Sequence, residues 1–151
     1  MKIIRSLAAC SLFALSAGAF GADKLCKVDI TGNDAMQYDK KEISVAADCT
    51  EVEVTLHHAG KLPAQAMGHN FVLAKTADMA GIASDGMGAG FANDHLKPGD
   101  ARVIAHTKIV GGGQSASVKF PTSALKKGEA YSFFCSFPGH SALMKGPFKI
   151  G

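Results

Sequence analysis

Ten residues near the C-terminus, Cys135-Ser136-Phe137-Pro138-Gly139-His140-Ser141-Ala142-Leu143-Met144, place a thiol, an imidazole and a thioether in one short stretch. Four residues separate Cys135 from His140, and three separate His140 from Met144. Pro138-Gly139 can reverse the chain between them. Cys135, ending the strand-like Tyr131-Ser132-Phe133-Phe134 run, and His140, beyond the turn, can then face one point. Far upstream, Met67-Gly68-His69-Asn70 stands just before another strand and offers a second imidazole. Two neutral imidazoles, one thiolate and one weak thioether make a trigonal donor set with a long axial contact, which suits copper. Zinc tolerates two nitrogens and a thiolate, but Met is a poor zinc ligand and a fourth strong donor is missing. Soft sulfur suits Cu(I) and imidazole also suits Cu(II), so the set can hold both states and pass one electron.

Strands must carry these donors. Val28 and Ile30 alternate with polar neighbours, as do Ile43 and Val45. Val52, Val54 and Leu56 alternate strictly with Glu51, Glu53 and Thr55. Further runs cover Phe71 to Ala74, Val103 to Ile109, Val118 with Phe120, Tyr131 to Ser136, and Phe148 with Ile150. Period-two runs separated by turns containing Gly, Pro and Asp predict a β-sandwich or barrel. Gly111-Gly112-Gly113, between two such runs, reads as a mobile hairpin connection; a phosphate cradle needs a helix after it, and none follows. Ala77 to Met87 predicts a short helix or helical flap, with Met79, Ile82 and Met87 packing on one face despite Gly81 and Gly86. One β domain with a single helical excursion is expected.

A chain of 151 residues has room for one such domain with a real core, not two. With 47% hydrophobic and 19% charged residues, wholesale disorder is excluded. The N-terminus reads differently. Lys2 and Arg5 precede an uncharged apolar stretch from Leu7 to Phe20, and small residues follow at Ala17, Gly18, Ala19, Gly21 and Ala22. Such a charged start, short apolar middle and small-residue exit predict a secretory signal peptide over residues 1–21, cut after Gly21 or Ala22, with a domain over 22–151. The apolar stretch falls short of the roughly 20 residues of a spanning helix, and no other segment reaches that length. Leu7-Ala8-Ala9-Cys10 resembles a lipidation box, but most of the apolar run lies after it, which favours a discarded cysteine. Without Lys2 and Arg5, fourteen basic residues face thirteen acidic ones, so the formal charge of +3 belongs largely to the leader. Interspersed basic residues of this kind do not predict nucleic-acid binding.

Beyond Cys10, an odd set of three cysteines remains, Cys26, Cys49 and Cys135. In an oxidising compartment two can pair, and one has another task. Cys26 and Cys49 each lie beside a strand-like stretch near the N-terminus. A bridge between them closes a loop of about two dozen residues and contributes about 3 kcal/mol.

Met67-Gly68-His69-Asn70, Asp85-Gly86-Met87, Arg102 to Lys108 and Phe133 to Gly146 closely resemble the cupredoxins, the type 1 blue copper proteins, and within them the azurin group. The resemblance spans nearly all of the chain after the leader, and the Cys–His–Met spacing is that of the azurin group rather than of plastocyanin-like members. It implies an all-β, eight-stranded Greek-key sandwich holding one copper ion that cycles between Cu(I) and Cu(II). It implies His69, Cys135 and His140 as equatorial ligands, Met144 as one axial ligand and the backbone carbonyl of Gly68 as a weak second one. It also implies a Cys26–Cys49 disulfide, a bracing role for the Asn70 side chain, and backbone N–H groups of Asn70 and Phe137 aimed at the Cys135 sulfur. The implied activity is electron transport by a soluble periplasmic monomer, not an enzyme. Its partners are redox proteins such as c-type cytochromes or copper or haem reductases. One departure from the pattern is the absence of Trp from the chain, with Phe71 in the neighbourhood where members often bury an indole.

Phe137, Pro138, Gly139 and Leu143 flank His140 and are all apolar or small. Met36, Leu62, Ala66 and Met67 fall at matching positions in the family pattern. Together they predict an exposed apolar collar around the edge of His140 for brief docking of a redox partner. His57 and His58, being adjacent on a strand, point to opposite faces and cannot form a metal pair. His95 and His106 read as ordinary loop or sheet residues. Two rival chemistries use the same donors. A Cys135 nucleophile with His140 or His69 as base leaves Met144 idle and lacks an oxyanion loop. A Cu(I)-delivery protein needs an open, exchangeable site rather than a loop supported by a sandwich and a disulfide.

Overall fold

Strict alternation decides the first sheet. Val52, Val54, Leu56 and His58 are buried while Glu51, Glu53, Thr55 and His57 stay half exposed, the outcome that a pleat with one wet face imposes. In the computed structural model, which describes residues 24–151, the elements run in the order β1 (Leu25–Asn33), β2 (Gln37–Tyr38), β3 (Ile43–Val45), β4 (Glu51–His58), α1 (Ala64–Met67), β5 (Val72–Lys75), α2 (Met79–Ala89), β6 (Val103–His106), β7 (Ser115–Pro121), β8 (Tyr131–Phe134) and β9 (Lys145–Ile150). The predicted leader and its cleavage point lie outside the described residues. Two sheets form, ordered β2-β1-β4-β7 and β3-β9-β8-β5-β6. The pairs β1–β4 and β3–β9 are parallel, and the other pairs are antiparallel. The architecture is therefore the expected cupredoxin-like sandwich, with nine strands where about eight were expected; Gln37–Tyr38 is too short to carry a period-two signal.

Ile30, Val52, Val54 and Leu56 from one sheet meet Leu73, Phe133 and Phe148 from the other, all nearly solvent-free. Full burial of each such side chain contributes about 1.5–3 kcal/mol. Phe71 is fully buried and stacks on Phe133 at 6.1 Å, so an aromatic ring fills this part of the core. Outside the second sheet, Ile82 of α2, joined by Leu96 from the segment after it, covers Val72, Ala74 and Phe134.

That helix corrects one expectation. Ile82 and Gly86 form its buried stripe, whereas Met87 is 59% exposed instead of packed. A Cβ on Gly86 would lie 2.1 Å from the His95 carbonyl oxygen. The helix thus presents bare backbone to its neighbour, and Met87 is rotated outward. Gly111-Gly112-Gly113 is likewise not a hairpin, because β6 and β7 belong to different sheets. It is a packed crossing, with Gly112 N–H donating to the Leu62 carbonyl at 2.9 Å and Gly113 N–H to the His58 carbonyl at 2.9 Å. A Cβ at Gly111 or Gly112 would come within 2.6 Å of backbone atoms of the Gly60–Ala64 segment.

Cys26 and Cys49 are bridged across a separation of 23 residues, tying the start of β1 to the turn before β4. Replacing both by Ala is expected to lower unfolding free energy by about 3 kcal/mol in denaturant titrations, while the metal-binding properties stay unchanged because the bridge lies far along β1 and β4 from the donors.

Candidate metal centre

Four donors arrive from two regions of chain. His69 follows α1 and is fixed by exchanging backbone hydrogen bonds with Val110, at 3.0 and 2.8 Å. Cys135 leaves the end of β8, and Met144 enters β9 directly. The intervening loop closes on itself. Cys135 N–H donates to the Met144 carbonyl at 3.0 Å, Met144 N–H to the His140 carbonyl at 2.8 Å, and His140 N–H to the Phe137 carbonyl at 2.9 Å. Gly139 sits at φ +83°, a conformation that needs glycine to place His140 at the start of a tight helical turn.

The donor atoms converge. Nδ1 of His69 and Nδ1 of His140 are 3.2 Å apart, and the Cys135 sulfur lies 3.7 Å from Nδ1 of His140. The Cys135, His69 and His140 ligand atoms all lie within 4.8 Å of one another, and all three residues are buried. Nε2–H of His69 donates to the Asn33 carbonyl at 2.8 Å, which leaves the lone pair on Nδ1, toward the cluster. Met144 is fully buried, and its methyl carbon and the His69 ring flank the same glycine, Gly32. The Gly68 carbonyl oxygen is 3.9 Å from the Cys135 sulfur.

The electrostatics favour bare lone pairs. Burial, reinforced by the neighbouring His69, His58 and His95 rings, lowers His140 from its ordinary value near 6.5 to about 4. Burial also lowers His69, against the opposing pull of its bond to Asn33. Desolvation pushes the Cys135 thiol up to about 11, although the backbone N–H groups of Asn70 and Phe137 and the Tyr38 hydroxyl all favour its anion. Nδ1 of His69, its lone pair directed inward, lies 3.2 Å from Nδ1 of His140, so a proton on His140 Nδ1 or a bound cation must sit between them. The spacings match donors sharing one ion at bond lengths of about 2.0–2.3 Å. The residues present therefore fit a copper ion, with its proton-free thiolate supplied on binding.

Around the donors stands a hydrogen-bonded clamp. Asn70 Oδ1 accepts from Ser136 N–H at 2.9 Å, while Nδ2 donates to Ser136 Oγ at 2.8 Å and to the Asp94 carbonyl at 3.0 Å. Tyr38 donates its hydroxyl to the Asn70 carbonyl. Asn70 thus joins the two donor-bearing segments directly. His58 stacks on His69 with centroids 4.3 Å apart, and its Nε2–H donates to the Met67 carbonyl at 2.8 Å. His57 faces outward to Asp29 and Ser115, as the alternation requires.

Residues 24–151 match the family described as copper binding proteins, plastocyanin/azurin family. The chain belongs to that family. It is 58% identical over 125 residues to azurin-1 of Alcaligenes xylosoxydans xylosoxydans, covering 83% of this chain and 97% of that protein. It is 54% identical over 149 residues to azurin of Pseudomonas aeruginosa, covering 98% and 99% respectively. A solved azurin, Az-iso2 from Methylomonas sp. strain J, superposes with a TM-score of 0.81 at 49% identity, covering 83% of this chain and 98% of that one. The members are blue-copper electron-transfer proteins, and the His69–Cys135–His140 group is this chain's place for the single copper ion of that class.

Several residues that hold the site escaped sequence reasoning. Asn33 and Asp94 act through backbone carbonyls, which carry no sequence signal. Tyr38 and Gly32 act across long sequence separations, although a glycine inside a strand pattern often marks a close approach. His95 is not an ordinary loop residue. It is 91% buried, lies at φ +49° and packs edge-on against Phe137 at 5.1 Å. His106 ends β6 and is exposed.

Two outcomes follow for the centre. A Cβ on Gly32 would lie 2.7 Å from Cδ2 of His69. Gly32→Ala is therefore expected to weaken metal affinity about tenfold or more in a competition titration, with circular dichroism unchanged. Between pH 6.5 and about 4, unfolded chains bind a proton at residue 140 that the folded apoprotein does not. Apoprotein stability is thus expected to fall as pH drops through that window, and His140→Gln to flatten the profile in denaturant midpoints.

Proposed function

We propose that the chain is a soluble periplasmic carrier of single electrons, exchanging them with redox proteins through the His140 edge. The observation that carries this reading is the convergence, in one dry site, of a His69 nitrogen with the His140 nitrogen and the buried Cys135 thiol of the self-closed 135–144 loop. Bound copper supplies the one-electron couple. The chain's own residues limit atomic movement when the charge changes. Asn70 locks Ser136 against the His69 segment, and the loop's internal backbone bonds fix Cys135, His140 and Met144 relative to one another. The N–H groups of Asn70 and Phe137 stabilise the sulfur anion. In this reading Met144 and the Gly68 carbonyl would offer the ion weaker, additional donors, and Met144 would tune its potential.

Access supports the proposed route. Among the described residues, the one enclosed side-chain nitrogen or oxygen without a partner is Nδ1 of His95. His140 itself is 3% exposed, and its outer nitrogen has no protein partner among the described residues. Leu143 and Leu62 are 59% and 41% exposed, Pro138, Gly139 and Ala66 are exposed, and Met36, Met67 and Phe137 are half-buried. This collar suits brief apolar docking by cytochromes or copper or haem reductases. The periplasmic assignment rests on the leader reading and on a Cys26–Cys49 bridge that requires oxidising surroundings. Among the described residues no helix is long and apolar enough to cross a membrane.

Adding Cu(II) to the apoprotein is expected to give an intense blue charge-transfer colour and reversible one-electron reduction. Cys135→Ser should abolish the colour, whereas Met144→Leu should keep it with a shifted potential. Leu143→Lys should slow electron exchange with a redox protein at least about tenfold while leaving the spectrum intact. A colourless protein that holds only Cu(I) points instead to metal delivery.

A further inference from the structure

The outer face of the second sheet is only half covered. Helix α2 packs over β5 and β8, but β9 and the edge strand β3 lie bare beside it. On β9 Lys145, Pro147, Lys149 and the terminal Ile150 are exposed, while Gly146 and Phe148 are buried. The β7–β8 connection, carrying Lys126 and Lys127, and Lys41 from the β2–β3 loop raise walls around this face. The result is an open groove of about 1500 Å³ in which, among the described residues, five lysines face one acidic side chain, Glu129. Even Glu129 is engaged elsewhere, 3.2 Å from Lys75, and among the described residues Lys149 alone of the five has a carboxylate partner, Glu42 at 2.6 Å. One wall is held in place, since the Tyr131 hydroxyl accepts the Lys126 N–H at 2.7 Å.

We infer that this groove is a docking site for an acidic, extended segment of a partner protein. Unpaired ammonium groups around a low-dielectric floor concentrate positive potential, which selects anions. The volume exceeds the roughly 300–1,000 Å³ of pockets that enclose small ligands, so several residues of polypeptide fit it better than one small acid. Its concavity also disfavours a flat anionic bilayer. Lys145 and Lys149 stand about 13 Å apart at the rise of a strand, matching carboxylates four residues apart on an extended peptide. The groove flanks β9 and reaches Ile150 and Gly151, at the end of the strand away from Met144. A partner held there leaves the His140 collar free. The inference does not depend on which metal the centre holds.

The experiment is a titration of the reduced, metal-loaded full chain with an octaglutamate peptide, followed by amide chemical shifts. Shifts are expected at Lys126, Lys127, Lys145 and Lys149, with Leu143 and Gly139 unmoved. Binding should vanish as salt rises from about 20 to 200 mM. The Lys126→Glu/Lys127→Glu variant, with native circular dichroism, should bind at least about tenfold more weakly. No binding, shifts centred elsewhere, or equal binding by the charge-reversed variant overturns the inference. Lysine-dependent binding to phosphatidylglycerol vesicles without peptide binding overturns it in favour of a membrane surface.

Discussion

Three electron-rich atoms are forced together in a dry place, and the rest of the molecule serves that constraint. Nδ1 of His140 lies within hydrogen-bonding reach of both Nδ1 of His69 and the Cys135 sulfur, and desolvation disfavours a second proton on either ring. Left to itself a loop would swing these groups into water. The sandwich prevents this by seating Cys135 at the end of a strand whose residues are all buried, and by returning Met144 straight into the next strand. The cost of that arrangement is small beside the summed burial of the aromatic and aliphatic core.

Polar groups near the site do a different job from the core. Asn70 uses both ends of its amide, and its carbonyl takes the Tyr38 hydroxyl, so one residue fastens three segments remote in sequence. Such a network is stable only when every member is satisfied, which explains why Asp94 adopts a left-handed backbone to offer its carbonyl. His95 follows it into the same strained region and carries the one enclosed nitrogen without a partner among the described residues. Strain and an orphaned polar atom therefore collect beside Phe137, which packs against His140 at 4.6 Å. The surface divides in the same spirit, with an apolar rim at the metal end and a lysine-lined groove along β9.

Much of the fold was legible because burial leaves a period in the sequence. Along β4 the alternation of Val52, Val54 and Leu56 with charged or polar neighbours gave both the strand and its inward face. The Cys135–His140–Met144 cluster was legible for a related reason: a loop of ten residues fixes its own geometry locally, so spacing alone constrained the donors. His69 was a weaker signal, one imidazole beside a strand, and its role rested on the family pattern. Met87 misled because helical spacing says which residues share a face, not how near the neighbouring backbone will come. Close approach at Gly86 rotated that face, and no periodicity encodes such a contact.

The amino-acid order by itself determined the strands, the self-closing donor loop and the chemistry of the donors, since each depends on residues near one another in the chain. Tertiary structure alone decided that Gly32 leaves room for the His69 ring, that the Asn33 carbonyl selects its tautomer, and that Tyr38 reaches Asn70. It also decided that lysines from three separate segments would border one groove. These arrangements depend on distances between parts of the chain dozens of residues apart, and on backbone carbonyls that every residue type carries alike.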